Sequence, residues 1–108
     1  MKKAIWLSYD LGIKGDYQGL YAWLDNFDAT ECGNSVAYVQ YQYEKDLLSE
    51  LKEDLKRSVN FNQGDRIYII RKDSKDGKVR GSFLIGKRKS NPWEGFGEGE
   101  DTSVDIDE

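Results

Sequence analysis

The 108-residue sequence contains no histidine, one cysteine and one proline. Without histidine there is no Ser-His-Asp or Cys-His catalysis, and with a single cysteine the usual zinc-ligand sets are absent too. Cys32 has no partner for an intramolecular disulfide, which suits a reducing cytoplasm. No stretch approaches the roughly 18 apolar residues of a membrane span. We therefore expect a cytoplasmic protein with no membrane partner.

The formal net charge of -4 hides an uneven distribution of charge. From residue 93 to residue 108 there are seven acids and no base, so residues 1–92 hold sixteen bases and thirteen acids, a net of +3. Residues 56–89 alone hold eleven bases and three acids, a net of +8. This asymmetry is typical of nucleic-acid binding or of an interaction tail, and equally of a solvated surface with a solubilising tail. We expect one domain over residues 1–90 and an acidic, Gly-rich tail over 91–108, flexible or docked.

Hydrophobic periodicity predicts two helices and five strands. The helices carry apolar stripes at helical spacing, and the surest is the second, with its leucines at 47, 48, 51 and 55. The strands are predicted at Ala4–Tyr9, Ala29–Cys32, Ser35–Tyr43, Arg66–Arg71 and Lys78–Lys87. The order is that of an α+β, ferredoxin-like βαββαβ fold, with two helices on one face of an antiparallel sheet and an extra C-terminal strand.

Asp10 ends the first predicted strand and precedes a Gly-containing loop. A carboxylate at a strand end can hold Mg²⁺ together with water and phosphate oxygens, and such a metal could direct water at a phosphodiester. The same residue is also a common strand terminator before a Gly-rich loop. Asp10 is thus a candidate metal and catalytic residue only if the protein is a nuclease.

Tyrosines are concentrated in the third predicted strand. Alternation puts Tyr41 and Tyr43 on one face and Tyr38 on the other, with Tyr68 in a neighbouring strand. In this fold the helices leave one sheet face open, where aromatics would stack unpaired bases or be covered by a second subunit. The run Val36–Tyr41 also partly resembles the ribonucleoprotein motif of RNA-recognition domains, without its leading basic-Gly-aromatic triplet. We expect these four tyrosines to serve an interface or stacking, with a homodimer favoured.

Basic residues surround the last predicted hairpin, which Asp76-Gly77 would close. Phosphate binding needs several such charges on one surface, whereas an edge strand uses Lys and Arg to prevent sheet-to-sheet pairing. Both readings stay open. The candidate nucleic-acid ligands are Arg71, Lys72, Lys75, Lys78, Arg80, Lys87, Arg88 and Lys89.

The element order, the strand-ending Tyr9-Asp10, the run from Gly33 to Tyr38 and the segment Asp65–Ile70 resemble the small CRISPR-associated nuclease and integration-scaffold family. Its ferredoxin-like toxin–antitoxin relatives share the layout. The resemblance implies a homodimer in which the last strand completes the partner's sheet. It also implies that Asp10 matches the family's metal-binding carboxylate.

The first functional hypothesis is a small dimeric protein that binds RNA or DNA through the basic hairpin, without catalysis and without a cofactor. Its acidic tail, anchored by Trp93 and Phe96, would modulate binding. The alternatives are a Mg²⁺-dependent endonuclease that uses Asp10 and a non-enzymatic interaction module, antitoxin-like or defence-associated, that docks a protein partner.

Overall fold

The computed structural model describes residues 1–97. Its elements in chain order are β1 (Lys2–Asp10), α1 (Tyr17–Asn26), β2 (Thr30–Glu31), β3 (Val36–Gln42), α2 (Leu47–Ser58), β4 (Arg66–Lys72) and β5 (Val79–Ile85). The five strands form one antiparallel sheet in the order β2-β3-β1-β4-β5. The α+β class with two helices and an antiparallel sheet is confirmed. With a fifth strand at one edge and a two-residue β2 at the other, the sheet differs from a plain four-stranded one.

Both helices begin at an aspartate. The Asp16 carboxylate accepts a hydrogen bond from the Gly19 N–H at 2.9 Å, and the Asp46 carboxylate accepts one from the Ser49 N–H at 3.3 Å. The Glu50 carboxylate reaches back to the backbone N–H groups of residues 44–46 at 2.7–2.9 Å. These hydrogen bonds lower the pKa of Glu50 below its ordinary value. The start of α2 is therefore fixed by two carboxylates.

Strand alternation divides the sheet into two faces. One face carries fully buried side chains such as Ile5, Leu7 and Ile69, which join the buried residues of both helices in one hydrophobic core. The opposite face, here called the open face, carries Trp6, Ser8, Tyr38, Tyr68, Ile70 and Phe83, which lie opposite one another in the strand register. Phe83 lies opposite Tyr68 on the open face, and the next residue, Leu84, is buried at the register shift between Ile67 and Tyr68.

The tail is described only as far as Gly97. Trp93 and Phe96, the predicted tail anchors, are 68% and 85% exposed, so neither ring is seated on the domain. Six of the seven tail acids, from Glu98 onward, lie outside the described residues. Within residues 1–97 no helix has the length and apolar character needed to cross a membrane.

Candidate nucleic-acid interface

Four aromatic side chains lie on the open face, one from each long strand. Trp6 on β1 contacts Tyr38 on β3 with ring centroids 5.3 Å apart. Tyr68 on β4 contacts Phe83 on β5 edge-to-face at 4.8 Å. Trp6 remains 39% exposed, because both α1 and α2 pack on the other side of the sheet. The open face thus presents an aromatic surface that spans the sheet.

Gly81 provides the space in which the Tyr68 ring lies. A Cβ atom at position 81 would come within 2.6 Å of Cε2 and Cζ of Tyr68. The ring therefore rests directly against the backbone of β5, where only glycine allows so close an approach. This contact fixes the orientation of Tyr68 on the open face.

Two arginines flank Phe83 at one end of the aromatic surface. The guanidinium carbons of Arg66 and Arg88 lie 5.8 Å and 5.5 Å from the centroid of the Phe83 ring. Together with Asp10 and the Tyr68 ring, they line a shallow depression of about 310 Å³. Aromatic and guanidinium groups side by side are suited to a base and its phosphate.

The Asp10 carboxylate forms an ion pair with Arg66 and, in the part of the chain that the structure describes, is not grouped with other carboxylates. Its Oδ2 accepts hydrogen bonds from Nη2 of Arg66 at 2.6 Å and from Nε at 3.1 Å. Within residues 1–97 there is no group of three His, Cys, Asp or Glu side chains placed to hold a metal ion. A Mg²⁺ ion on this carboxylate would lie beside the positively charged Arg66 guanidinium, and this repulsion disfavours the predicted Mg²⁺ site within a single chain.

The eight predicted phosphate ligands do not form one cluster. Five lie at the β4–β5 hairpin, and Lys87, Arg88 and Lys89 follow β5 at its other end. The seven residues of β5 separate the two groups by about 23 Å. We call them the hairpin end and the Arg88 end, and the aromatic surface lies between them.

Within the hairpin end, part of the positive charge is neutralised internally. Arg80 donates to the Asp73 carboxylate at 2.9 Å and to that of Asp76 at 2.6 Å. Arg71 shares a face with the core residue Ile69 and donates to Ser82 Oγ at 3.5 Å. Lys72, Lys75 and Lys78 are exposed and form no ion pair with any residue in 1–97. The available charge of this end is therefore carried by lysines.

Of the four predicted interface tyrosines, Tyr38 and Tyr68 lie on the open face. Tyr41 lies on the helix-covered face, is 5% exposed, and donates a hydrogen bond from its hydroxyl to Asp54 Oδ2 at 2.8 Å. Burial raises the pKa of Tyr41 well above its ordinary value, and the Asp54 carboxylate adds to the shift. Tyr43 packs against the core beyond the end of β3. Tyr41 is thus a core residue, which corrects its predicted interface role.

Sequence reasoning missed Arg66 and Phe83 as site residues. Arg66 pairs with Asp10 in the register of β1 and β4, so correct strand pairing would have brought the two together. Phe83 lies opposite Tyr68 in the regular register of β4 and β5, so correct pairing of this hairpin would have placed it on the face of Tyr68. Comparisons with protein-family models, curated proteins and solved structures gave no match.

Proposed function

We propose that this protein is a non-catalytic binder of single-stranded nucleic acid, RNA or DNA. Unpaired bases stack on the open face, and the backbone phosphates bind the hairpin end and the Arg88 end. The observation that supports this proposal best is that the aromatic rings of the open face, with Trp6 exposed and the other three partly exposed, lie between two basic groups. Such a combination is how sequence-tolerant single-strand binders work, since every base has a face that can stack.

The proposal includes a ferredoxin-like fold, in which β5 adds an edge strand to the βαββαβ unit. The element order and the fully antiparallel pairing support it. In this fold both helices cover one side, and the uncovered sheet is left for a ligand. In this proposal the open face is therefore the surface that binds nucleic acid.

The test is fluorescence anisotropy with labelled 12-nucleotide single strands of RNA and of DNA, and with the matching duplex. We expect the single strands to bind more tightly than the duplex, with an affinity that falls as salt rises because phosphate binding releases counterions. Trp6→Ala removes one stacking ring and should weaken binding by about 1–3 kcal/mol. Ile13→Ala, which removes an exposed apolar side chain outside the open face, is the matched control.

Binding of the duplex alone, or equal binding by wild type and Trp6→Ala, would contradict stacking on the open face. Arg88→Ala should reduce the slope of affinity against salt, while Lys52→Ala on the exposed side of α2 should not. If Arg88→Ala leaves the slope of affinity against salt unchanged, the Arg88 end is not part of the interface.

The nuclease alternative is tested by Asp10→Asn. Under the binding proposal, this substitution frees Arg66 from its ion pair and tightens binding of nucleic acid. If Asp10 held Mg²⁺ in a nuclease, Asp10→Asn would abolish a metal-dependent cleavage that the wild type shows. The two hypotheses therefore predict different measurements on the same variant.

A homodimer through the open face is the second candidate. Exposed aromatic side chains such as Trp6 are a liability unless something covers them, and a second subunit would do so. Light scattering gives the solution mass. A dimer that Trp6→Ala converts to a monomer, without any binding of nucleic acid, would favour this candidate over the first.

A further inference from the structure

Three tyrosines form a second aromatic cluster on the helix-covered side of the sheet, where α1 passes the end of β1. The ring centroid of Tyr9 lies 6.3 Å from that of Tyr17 and 6.1 Å from that of Tyr21, and the latter two are 5.6 Å apart. They border a depression of about 420 Å³ that Glu31 and the β2–β3 turn also line. A smaller depression of about 210 Å³ shares Tyr9, Tyr21 and Glu31 and adds Asp25. We call the two together the tyrosine groove.

The charge of the tyrosine groove is opposite to that of the open face. Its lining includes the carboxylates of Glu31 and Asp25 and no lysine or arginine. Neither carboxylate has a hydrogen-bond or ion-pair partner among residues 1–97. Both are therefore free to pair with an incoming cation.

Backbone and side-chain hydrogen bonds hold the walls of the groove. The Tyr9 N–H donates to the Ser35 carbonyl oxygen at 2.9 Å, which ties β1 to the β2–β3 turn. The Tyr17 hydroxyl donates to the Leu11 carbonyl oxygen at 3.1 Å. Tyr21 is 51% exposed and forms the side that is open to solvent. The groove is thus preformed and accessible.

We propose that the tyrosine groove binds an organic cation, an ammonium or guanidinium group on an apolar stem. Aromatic faces attract such a cation through the ring quadrupole, and a neighbouring carboxylate supplies an ion pair. The stem packs against the tyrosine rings. A free polyamine and the Lys or Arg side chain of a polypeptide share this chemistry.

The test is a titration of the ¹⁵N-labelled full chain with butylammonium chloride, with sodium chloride at equal ionic strength as the reference. We expect saturable shifts of the backbone amide resonances of residues 9, 17, 21, 31 and 33–35. Tyr21→Leu should weaken binding about two- to fivefold, whereas Tyr21→Phe, which keeps the ring, should bind as the wild type does. Glu31→Gln should weaken it as well, and Glu53→Gln on the exposed side of α2 should not.

Shifts equal to those caused by sodium chloride, or equal affinity in the wild type and Tyr21→Leu, would overturn the proposal. A dispersed spectrum of each variant shows that it is folded. Spermidine and the blocked peptide Gly-Lys-Gly then distinguish the two sources. Tighter binding of spermidine identifies a polyamine, tighter binding of the peptide identifies a basic side chain, and failure of both to bind counts against the site.

Discussion

At the scale of single residues, Asp16 joins two distant parts of the chain. One oxygen of its carboxylate accepts from the Gly19 N–H at the start of α1, and the other accepts from the Asn60 N–H just after α2, both at 2.9 Å. These two hydrogen bonds hold the pKa of Asp16 below its ordinary value, and the one from Asn60 has the larger effect. A charged carboxylate thus fastens the beginning of one helix to the end of the other.

The lowered pKa of Asp16 makes its contribution to stability dependent on pH. Because the folded pKa lies below the unfolded value of about 3.9, this contribution is present above that pH and is lost as the pH falls through the folded pKa. We expect Asp16→Asn to lower the urea midpoint at pH 7 and the difference from wild type to shrink at pH 3. Asp25→Asn, whose side chain has no hydrogen-bond partner among residues 1–97, is the control. A difference that stays constant between pH 7 and pH 3 would refute the linkage.

A substitution at Gly81 changes the open face without removing any of its aromatic rings. In Gly81→Ala the new methyl group occupies the place of the Tyr68 ring, so the ring must move away from β5 and from Phe83. We expect a loss of stability of about 1–3 kcal/mol from this crowding and a weaker binding of single-stranded nucleic acid. Gly97→Ala adds a methyl group that would have no atom of residues 1–95 within 4 Å, and it serves as the control for both measurements. Wild-type affinity in folded Gly81→Ala would show that the position of Tyr68 does not matter.

At the scale of secondary structure, helix periodicity was sufficient to predict α2, because Leu47, Leu51 and Leu55 form one buried stripe. Alternation correctly separated Tyr38 from Tyr41. Alternation alone did not show which of the two faces the helices cover. The apolar residues Ala37 and Val39 lie on the same face as Tyr41 and indicate that this face is the buried one. The predicted hairpin already placed five of the basic residues around its turn and Lys87, Arg88 and Lys89 at the end of its second strand, and β5 lies between these two groups.

The contact between α1 and α2 explains why position 19, inside α1, is a glycine. A Cβ at position 19 would lie 2.7 Å from the Ser58 carbonyl oxygen and would also collide with the Asp16 carboxylate. Alanine gains about 1 kcal/mol over glycine in helix propensity, but crowding against a backbone oxygen costs about 1–3 kcal/mol. We therefore expect Gly19→Ala to lower the free energy of unfolding by up to about 2 kcal/mol, measured by urea denaturation. Gln18→Ala, at the exposed neighbouring position, should change it little, and a stabilised Gly19→Ala would disprove the close contact.

At the scale of the whole molecule, aromatic side chains occupy both sides of the sheet with opposite charges around them. The open face combines its rings with the Arg88 end, and the tyrosine groove combines its rings with Glu31 and Asp25. The two surfaces therefore suit ligands of opposite charge. A polyanion on the open face and an organic cation in the groove would not compete for the same groups.

The acidic tail gives the last prediction, which follows from charge alone. Residues 93–108 carry seven acids, whereas residues 1–92 have a net charge of +3. A tethered polyanion competes with nucleic acid for basic groups at a high effective concentration, and salt screens this competition. We expect deletion of residues 93–108 to tighten binding of a labelled 12-nucleotide strand at low salt, and the gain to disappear as salt rises.

The control for the deletion is a full-length chain in which the seven tail acids are replaced by Asn and Gln. It keeps Trp93 and Phe96, so it separates the charge of the tail from its aromatic side chains. If charge is the cause, the neutral tail should bind nucleic acid as tightly as the truncated chain does. If only the truncated chain binds more tightly, the aromatic residues or the bulk of the tail cover the surface. Affinities that are equal for all three proteins across the salt series would show that the tail does not compete for the basic surface.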